Sequence, residues 1–241
     1  MPAPPPRIGI TLDSRLEPAG GTSPRTCHTG SGYGDAVAAA GGVPLCLGHH
    51  AETIPHLLDI CDAFILTGGG DPDTSAFGVA THSAARLVDP RRQAFELALL
   101  DALETSEHAG TPLLGVCLGM QMMCLHAGGM LDQAMTETMG EAAAIHADFQ
   151  PHAIRITAET AVLPAKGTRH DVISSHRQRV SDPGRLEVAA LAEDATIEAV
   201  HDPSRPWRVG VQWHAERTRD ASHPVGWGLI ASLVQAAASS P

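Results

Sequence analysis

The stretch 112–121, PLLGVCLGMQ, constrains the fold more than any other part of this chain. Residues 112–116 read as a short apolar strand that runs directly into a helix. The whole turn therefore falls on Cys117, flanked two residues away on each side by Gly115 and Gly119. So sharp a strand-to-helix corner strains its central residue, and glycines at −2 and +2 remove side chains that would collide there. It also lifts the Cys117 side chain off the sheet and onto a helix N-terminus, where the macrodipole and free N–H groups favour a thiolate. The N–H of Leu118 then points to where an oxyanion would form.

Other short apolar runs bounded by Gly, Pro or Asp occur at 8–12, 43–47, 63–66 and 209–213. Helical patterns lie between them at 35–40, 91–103 and 121–125, with a closing helix at 228–238. Continuous apolar strands alternating with helices predict an α/β fold around a mostly parallel sheet, covered by helices on both faces. The segment from Met130 to Val180 reads differently. Its alternating stretches 152–156 and 172–174 predict a small antiparallel excursion that returns to the main sheet. No repeat or linker divides the chain, so residues 1–241 are expected to form a single domain, with a frayed Pro-rich start.

A net charge of −11 argues against a nucleic-acid partner, since phosphate binding needs clustered Lys and Arg. The five cysteines form no CxxC pair, and the first residues lack a signal-peptide pattern. The apolar tail is too short to span a bilayer. A soluble cytoplasmic protein with reduced thiols and no membrane partner is the expectation. Cys27, Cys46, Cys61 and Cys124 read as ordinary buried cysteines, and most of the 14 histidines, including His49, His50, His82 and His223, as surface residues.

Two further segments complete a set. In WRVGVQWHAE, an apolar strand ends at His214 with Glu216 two residues on. If strand geometry persists, both side chains face the same way, so Glu216 can orient the imidazole. In AFILTGGGDP, another strand runs into Gly68-Gly69-Gly70. A phosphate-loop spacing is absent there. In a cysteine amidase, such a loop presents a second N–H to an oxyanion; Gly69 is assigned to this, with Gly68 and Gly70 as alternatives.

With these segments in place, the sequence resembles the class I glutamine amidotransferases, and within them the γ-glutamyl-γ-aminobutyrate hydrolase branch, the peptidase C26 group. Tyr33 followed by Ala40-Gly41-Gly42-Val43-Pro44, the loop from Leu66 to Asp71, the elbow around Cys117, Ile173-Ser174-Ser175-His176-Arg177-Gln178 and the ending from Gly210 to Glu216 carry the likeness. Asp89, Arg92 and Glu96 resemble that branch's DxxR…E element. Ala215 stands where the family usually has Pro, and Leu118 where polyamine-pathway hydrolases often have Arg; the Cys-Leu-Gly form also occurs in synthase glutaminases.

The resemblance implies a flavodoxin-like three-layer sandwich. It implies a cysteine-dependent hydrolase that cleaves a small γ-glutamyl amine through a thioester, with Cys117, His214 and Glu216 as the triad and Gly69 and Leu118 as the oxyanion hole. Gln121, Ser175, His176 and Gln178 are expected on the substrate side. The alternative is a glutaminase subunit that passes ammonia to a partner synthase; a homodimer is left open. No metal or organic cofactor is expected, since pairs such as His201-Asp202 lack ligand spacing. Residues 15–33 read equally as a lid or a passive loop.

Overall fold

The computed structural model describes residues 4–15, 26–105 and 107–239. The strands are β1 (Arg7–Thr11), β2 (Asp13–Arg15), β3 (Thr26–His28), β4 (Val43–Leu47), β5 (Ala63–Leu66), β6 (Leu113–Val116), β7 (Met130–Asp132), β8 (Gln150–Ile156), β9 (Arg169–Ser174), β10 (Arg179–Asp182), β11 (Glu187–Ala192), β12 (Ile197–His201) and β13 (Arg208–Val211). The helices are α1 (Ser31–Ala39), α2 (Ile54–Ile60), α3 (Pro90–Leu103), α4 (Leu118–His126), α5 (Met135–Thr138) and α6 (Trp227–Ser239).

Nine strands form one sheet in the order β4-β1-β5-β6-β13-β12-β11-β8-β9. From β4 to β13 every pairing is parallel, as the βα alternation predicts. From β13 to β9 every pairing is antiparallel. The excursion therefore contributes more to the main sheet than the sequence suggests. Its β8 and β9 form the sheet's far edge, while β7 and β10 pair separately beside it.

Side chains leave the parallel strands alternately to two cores. Ile8, Ile10, Ala63, Ile65, Leu114 and Val116 pack towards α1 and α6, whereas Phe64, Leu66 and Leu113 pack towards α3 and α4. Helix α3 shows why such a segment is helical. Pro90 occupies its first turn, the Asp89 carboxylate caps it by accepting from the N–H of Arg91, and Arg92, Phe95, Glu96, Leu99, Leu100 and Leu103 recur on one buried face. Leu99, Leu100 and Leu103, almost wholly buried, each contribute roughly 1.5–3 kcal/mol. Among the described residues, no helix is long and apolar enough to cross a membrane.

Much of the lid-or-loop stretch 15–33 lies outside the described residues, and its end belongs to α1, where Tyr33 is buried. Cys61 and Cys124 are buried as expected, but Cys27 and Cys46 are exposed. Burial pushes the Cys61 thiol up to about 11.

Candidate active site

Strand β6 delivers Cys117 to the start of α4 with φ of 52° and ψ of −103°, a left-handed conformation costing a non-glycine residue about 1–3 kcal/mol. The corner is held because the Cys117 N–H donates to Val211 O at 2.7 Å and its carbonyl accepts from the Gln121 N–H at 3.1 Å. The flanking glycines are required by contact. A Cβ on Gly119 would lie 2.8 Å from the carbonyl carbon and Cβ of Leu66.

Strand β13 lies beside β6 in register, Val116 opposite Val211, which brings the residues after each strand to the same end of the sheet. His214, however, is not on that strand. Strand geometry ends at Val211, and the His214 N–H donates to Ile173 O at 2.8 Å. Glu216 reaches the imidazole through a tight 3₁₀ turn over Ala215–Arg217, closed by the Arg217 N–H donating to His214 O. The extended geometry expected from the sequence is therefore replaced by a turn, which forms with Ala215 in place of the usual Pro. The Trp227 indole N–H fixes it by donating to Glu216 O at 3.0 Å.

The result is a buried chain of contacts. The His214 Nδ1–H donates to Glu216 Oε1 at 2.8 Å, and the Cys117 thiol lies near enough to the ring to act on its pKa. Cys117, His214 and Glu216 are all less than a tenth exposed. Burial works to lower the His214 pKa, but hydrogen bonds and charge from Cys117 and Glu216 outweigh it and raise the ring to about 10. An imidazole charged at neutral pH beside a thiol can hold a thiolate, and a carboxylate on its far nitrogen fixes its tautomer.

The glycine loop after β5 faces this pair. The Gly68 N–H is committed, donating to the Tyr33 hydroxyl at 3.0 Å. Gly69 and Gly70 line the cleft with Cys117, so Gly68 is the one of the three alternatives whose N–H is already spent. The loop is held from behind by the buried Arg92. Its Nη1 donates to Gly68 O at 3.1 Å, its Nη2 to Thr67 O at 2.6 Å, and its Nε to Glu96 Oε1 at 2.9 Å. Thr11 Oγ1 adds a second donor to Glu96 at 2.7 Å. The Leu118 N–H, in the first turn of α4, has no intrahelical acceptor.

The cleft measures about 680 Å³. Of the four residues expected on the substrate side, Ser175 and His176 line it. Gln121 also reaches it, but its amide nitrogen is spent on Gln178 O and Gln212 Oε1, both at 3.2 Å. Gln178 is buried away from the cleft, and its carbonyl accepts from Gln121 and lies 2.9 Å from His176 Nδ1. The Gln121 side chain thus ties α4 to the backbone just before β10 from the edge of the cleft, and the Gln178 side chain does not face the opening. Sequence reading missed Phe149, whose ring stands edge-on to His214 at 5.2 Å and carries the Arg217 guanidinium 3.5 Å above its centroid. Asp148 and Phe149 are consecutive non-glycine residues with φ of 53° and 57°. The available signal was faint, namely an isolated aromatic in a polar stretch of a chain with only four Phe.

Known proteins place this architecture. The family model for peptidase C26 matches residues 6–216. A Mycobacterium tuberculosis protein, provisionally named as glutamine amidotransferase Rv2859c, is 32% identical over 195 residues, covering 78% of this chain and 62% of its own length. Among solved structures, a glutamine amidotransferase from Thermotoga maritima superposes with a TM-score of 0.63 at 15% identity, over 98% of this chain and 99% of that one. The glutaminase domain of Trypanosoma brucei CTPS, solved with bound acivicin, gives a TM-score of 0.61 at 16% identity, over 98% and 95%. These last two share the fold. The chain belongs to the peptidase C26 family.

Proposed function

We propose that this protein is a cysteine-dependent hydrolase cleaving the γ-glutamyl amide bond of a small γ-glutamyl amine, of the γ-glutamyl-γ-aminobutyrate kind. The observation that carries the reading is Cys117, strained at its elbow beside an imidazole whose Nδ1 is held by Glu216 at 2.8 Å. In this mechanism the Cys117 thiolate attacks the γ-carbonyl carbon, and the oxyanion is met by the N–H groups of Leu118 and Gly69. The charged His214 gives its proton to the departing amine as the C–N bond breaks, leaving a γ-glutamyl thioester on Cys117. Neutral His214 then takes a proton from water, the hydroxyl adds to the thioester, and collapse releases glutamate and restores the thiolate–imidazolium pair. A zwitterionic γ-glutamyl head group is consistent with a rim that carries both Asp71 and Asp148 and the cations Arg86, Arg177 and Arg217.

A second reading, a glutaminase that supplies ammonia from glutamine to a synthase, draws support from Leu118 and from the fold shared with a glutaminase domain. Glutamate release by the purified chain alone separates the two. Turnover of a γ-glutamyl amine, reduced roughly 10⁴-fold or more in Cys117→Ala, is the expected result. Near-full activity in that variant would refute the role of Cys117, and turnover of glutamine only in the presence of a partner would establish the second reading.

A further inference from the structure

Beneath the cleft floor lies a cluster the hydrolytic mechanism does not use. Glu198 on β12 is completely buried, and imidazoles from three separate segments converge on its Oε1. His146 Nδ1 lies 3.2 Å away, His152 Nε2 3.2 Å and His176 Nε2 3.6 Å. Close as they are, these contacts lack hydrogen-bond geometry: among the described residues, His146 Nδ1, His152 Nε2, His176 Nε2 and both Glu198 oxygens have no hydrogen-bond partner. Three imidazoles crowded on one carboxylate oxygen, with no hydrogen bond of good geometry among them, form an arrangement that a bound cation would account for.

We propose that His146, His176 and Glu198 bind a divalent transition-metal ion, zinc by preference, as a structural clamp under the cleft. Their ligand atoms all lie within 4.8 Å of one another. Zinc bonds of about 2.0–2.2 Å in tetrahedral geometry place neighbouring ligand atoms roughly 3.3–3.5 Å apart, which the 3.2 Å and 3.6 Å separations bracket. His152, at 3.2 Å from the same oxygen, is the candidate for a fourth ligand.

The surrounding shell fits a metal centre as well. His146 turns its other nitrogen to Asp194 Oδ2 at 2.9 Å, and His176 turns its Nδ1 to the Gln178 carbonyl at 2.9 Å. A carboxylate and a backbone carbonyl on the far nitrogens are the partners that fix the tautomer and raise the basicity of metal-binding imidazoles. Glu198 and Asp194 together balance a dication with the imidazoles neutral. Near-complete burial of all three ligands leaves no position for substrate, so the ion's role is positional.

That role is specific. His146 is followed directly by Ala147, Asp148 and Phe149, and His176 sits between Ser175 and Arg177, all of them cleft-lining. The His176 N–H already donates to His146 O at 2.8 Å. An ion there locks the two walls facing Cys117 onto β12.

The test uses the full chain, untagged, in both wild-type and Cys117→Ala forms, so that the active-site thiol does not compete as a ligand. Protein given zinc and then desalted should retain about one zinc per chain by elemental analysis, and Co²⁺ in its place should give the visible spectrum of a four-coordinate site. Glu198→Gln should abolish binding, and Asp194→Asn, which keeps every ligand, should weaken it roughly 10–100-fold with an unchanged circular dichroism spectrum. Should Glu198→Gln fail to fold, Asp194→Asn decides alone. Folded wild-type protein that retains no zinc and shows no Co²⁺ spectrum overturns the proposal. So does zinc held equally tightly by Asp194→Asn, which would place the ion elsewhere.

Discussion

Replacing Glu216 by Gln keeps the shape of the side chain and removes its charge, so it isolates what the carboxylate does for His214. Moving the ring from 6.5 to about 10 corresponds, at about 1.36 kcal/mol per pKa unit, to a preference for the charged form on the order of 5 kcal/mol, shared between Cys117 and Glu216. Gln can also donate to Nδ1, which would leave the proton on Nε2 facing the sulfur, the wrong tautomer for accepting one. The rate should therefore fall by between about 10² and 10⁴, chiefly in kcat. The pH profile gives an independent readout. A raised His pKa contributes stability that is fully present below 6.5 and lost as pH rises through about 10, so the charged pair should persist in the wild type to near that value. In Glu216→Gln the alkaline limb of kcat/KM should shift to lower pH. Superimposable profiles, with a kcat within about twofold of wild type, would refute the argument that Glu216 supports the imidazolium.

Gly119→Ala puts a methyl within 2.8 Å of Leu66 backbone and side-chain carbons, forcing α4 and β5 about 1 Å apart. Denaturant titration should show a loss of about 1–3 kcal/mol, while Gly110→Ala, where a Cβ meets nothing within 4 Å, should show none. Arg92→Met strands the buried Glu96 carboxylate and releases the carbonyls of Thr67 and Gly68. A stability loss of about 3–5 kcal/mol is expected, with partial recovery on adding Glu96→Gln. Phe149→Ala removes the edge contact to His214 and the platform under Arg217, and should raise KM more than it lowers kcat in steady-state assays.

What could be read from the sequence is what local chemistry dictates. A run such as AFIL has one place to go, between two helical layers, and its strand covers Ala63–Leu66 as expected. The elbow was equally legible, because GxCxG admits few backbones. The histidine turn was less so. Two residues of strand spacing and a 3₁₀ turn both bring Glu216 to His214, and the choice depends on Ile173, a partner 41 positions earlier in the chain. The substrate side was least legible. Gln121 and Gln178 look like exposed binding residues until folding turns the Gln121 amide nitrogen to Gln178 O and Gln212 Oε1 and buries the Gln178 side chain. His146, His176 and Glu198 share no local spacing, since only the antiparallel half of the sheet brings them together.

The position of β13, parallel to β6 on one side and antiparallel to β12 on the other, has a consequence for how such a molecule can change over time. The strand ends that lead to Cys117 and towards His214 are set side by side by one ladder, and Ile173 O on β9 holds the His214 N–H beyond it. Apart from β12, which pairs with β13, and Ile173, which holds His214, the chain between Met130 and Trp207 leaves that ladder and has only to return to it in register. Insertions, deletions and exchanged loops in this stretch can remodel the far wall of the cleft while the reacting pair stays in place. A lineage built this way can change what it recognises many times over without reinventing how it cuts.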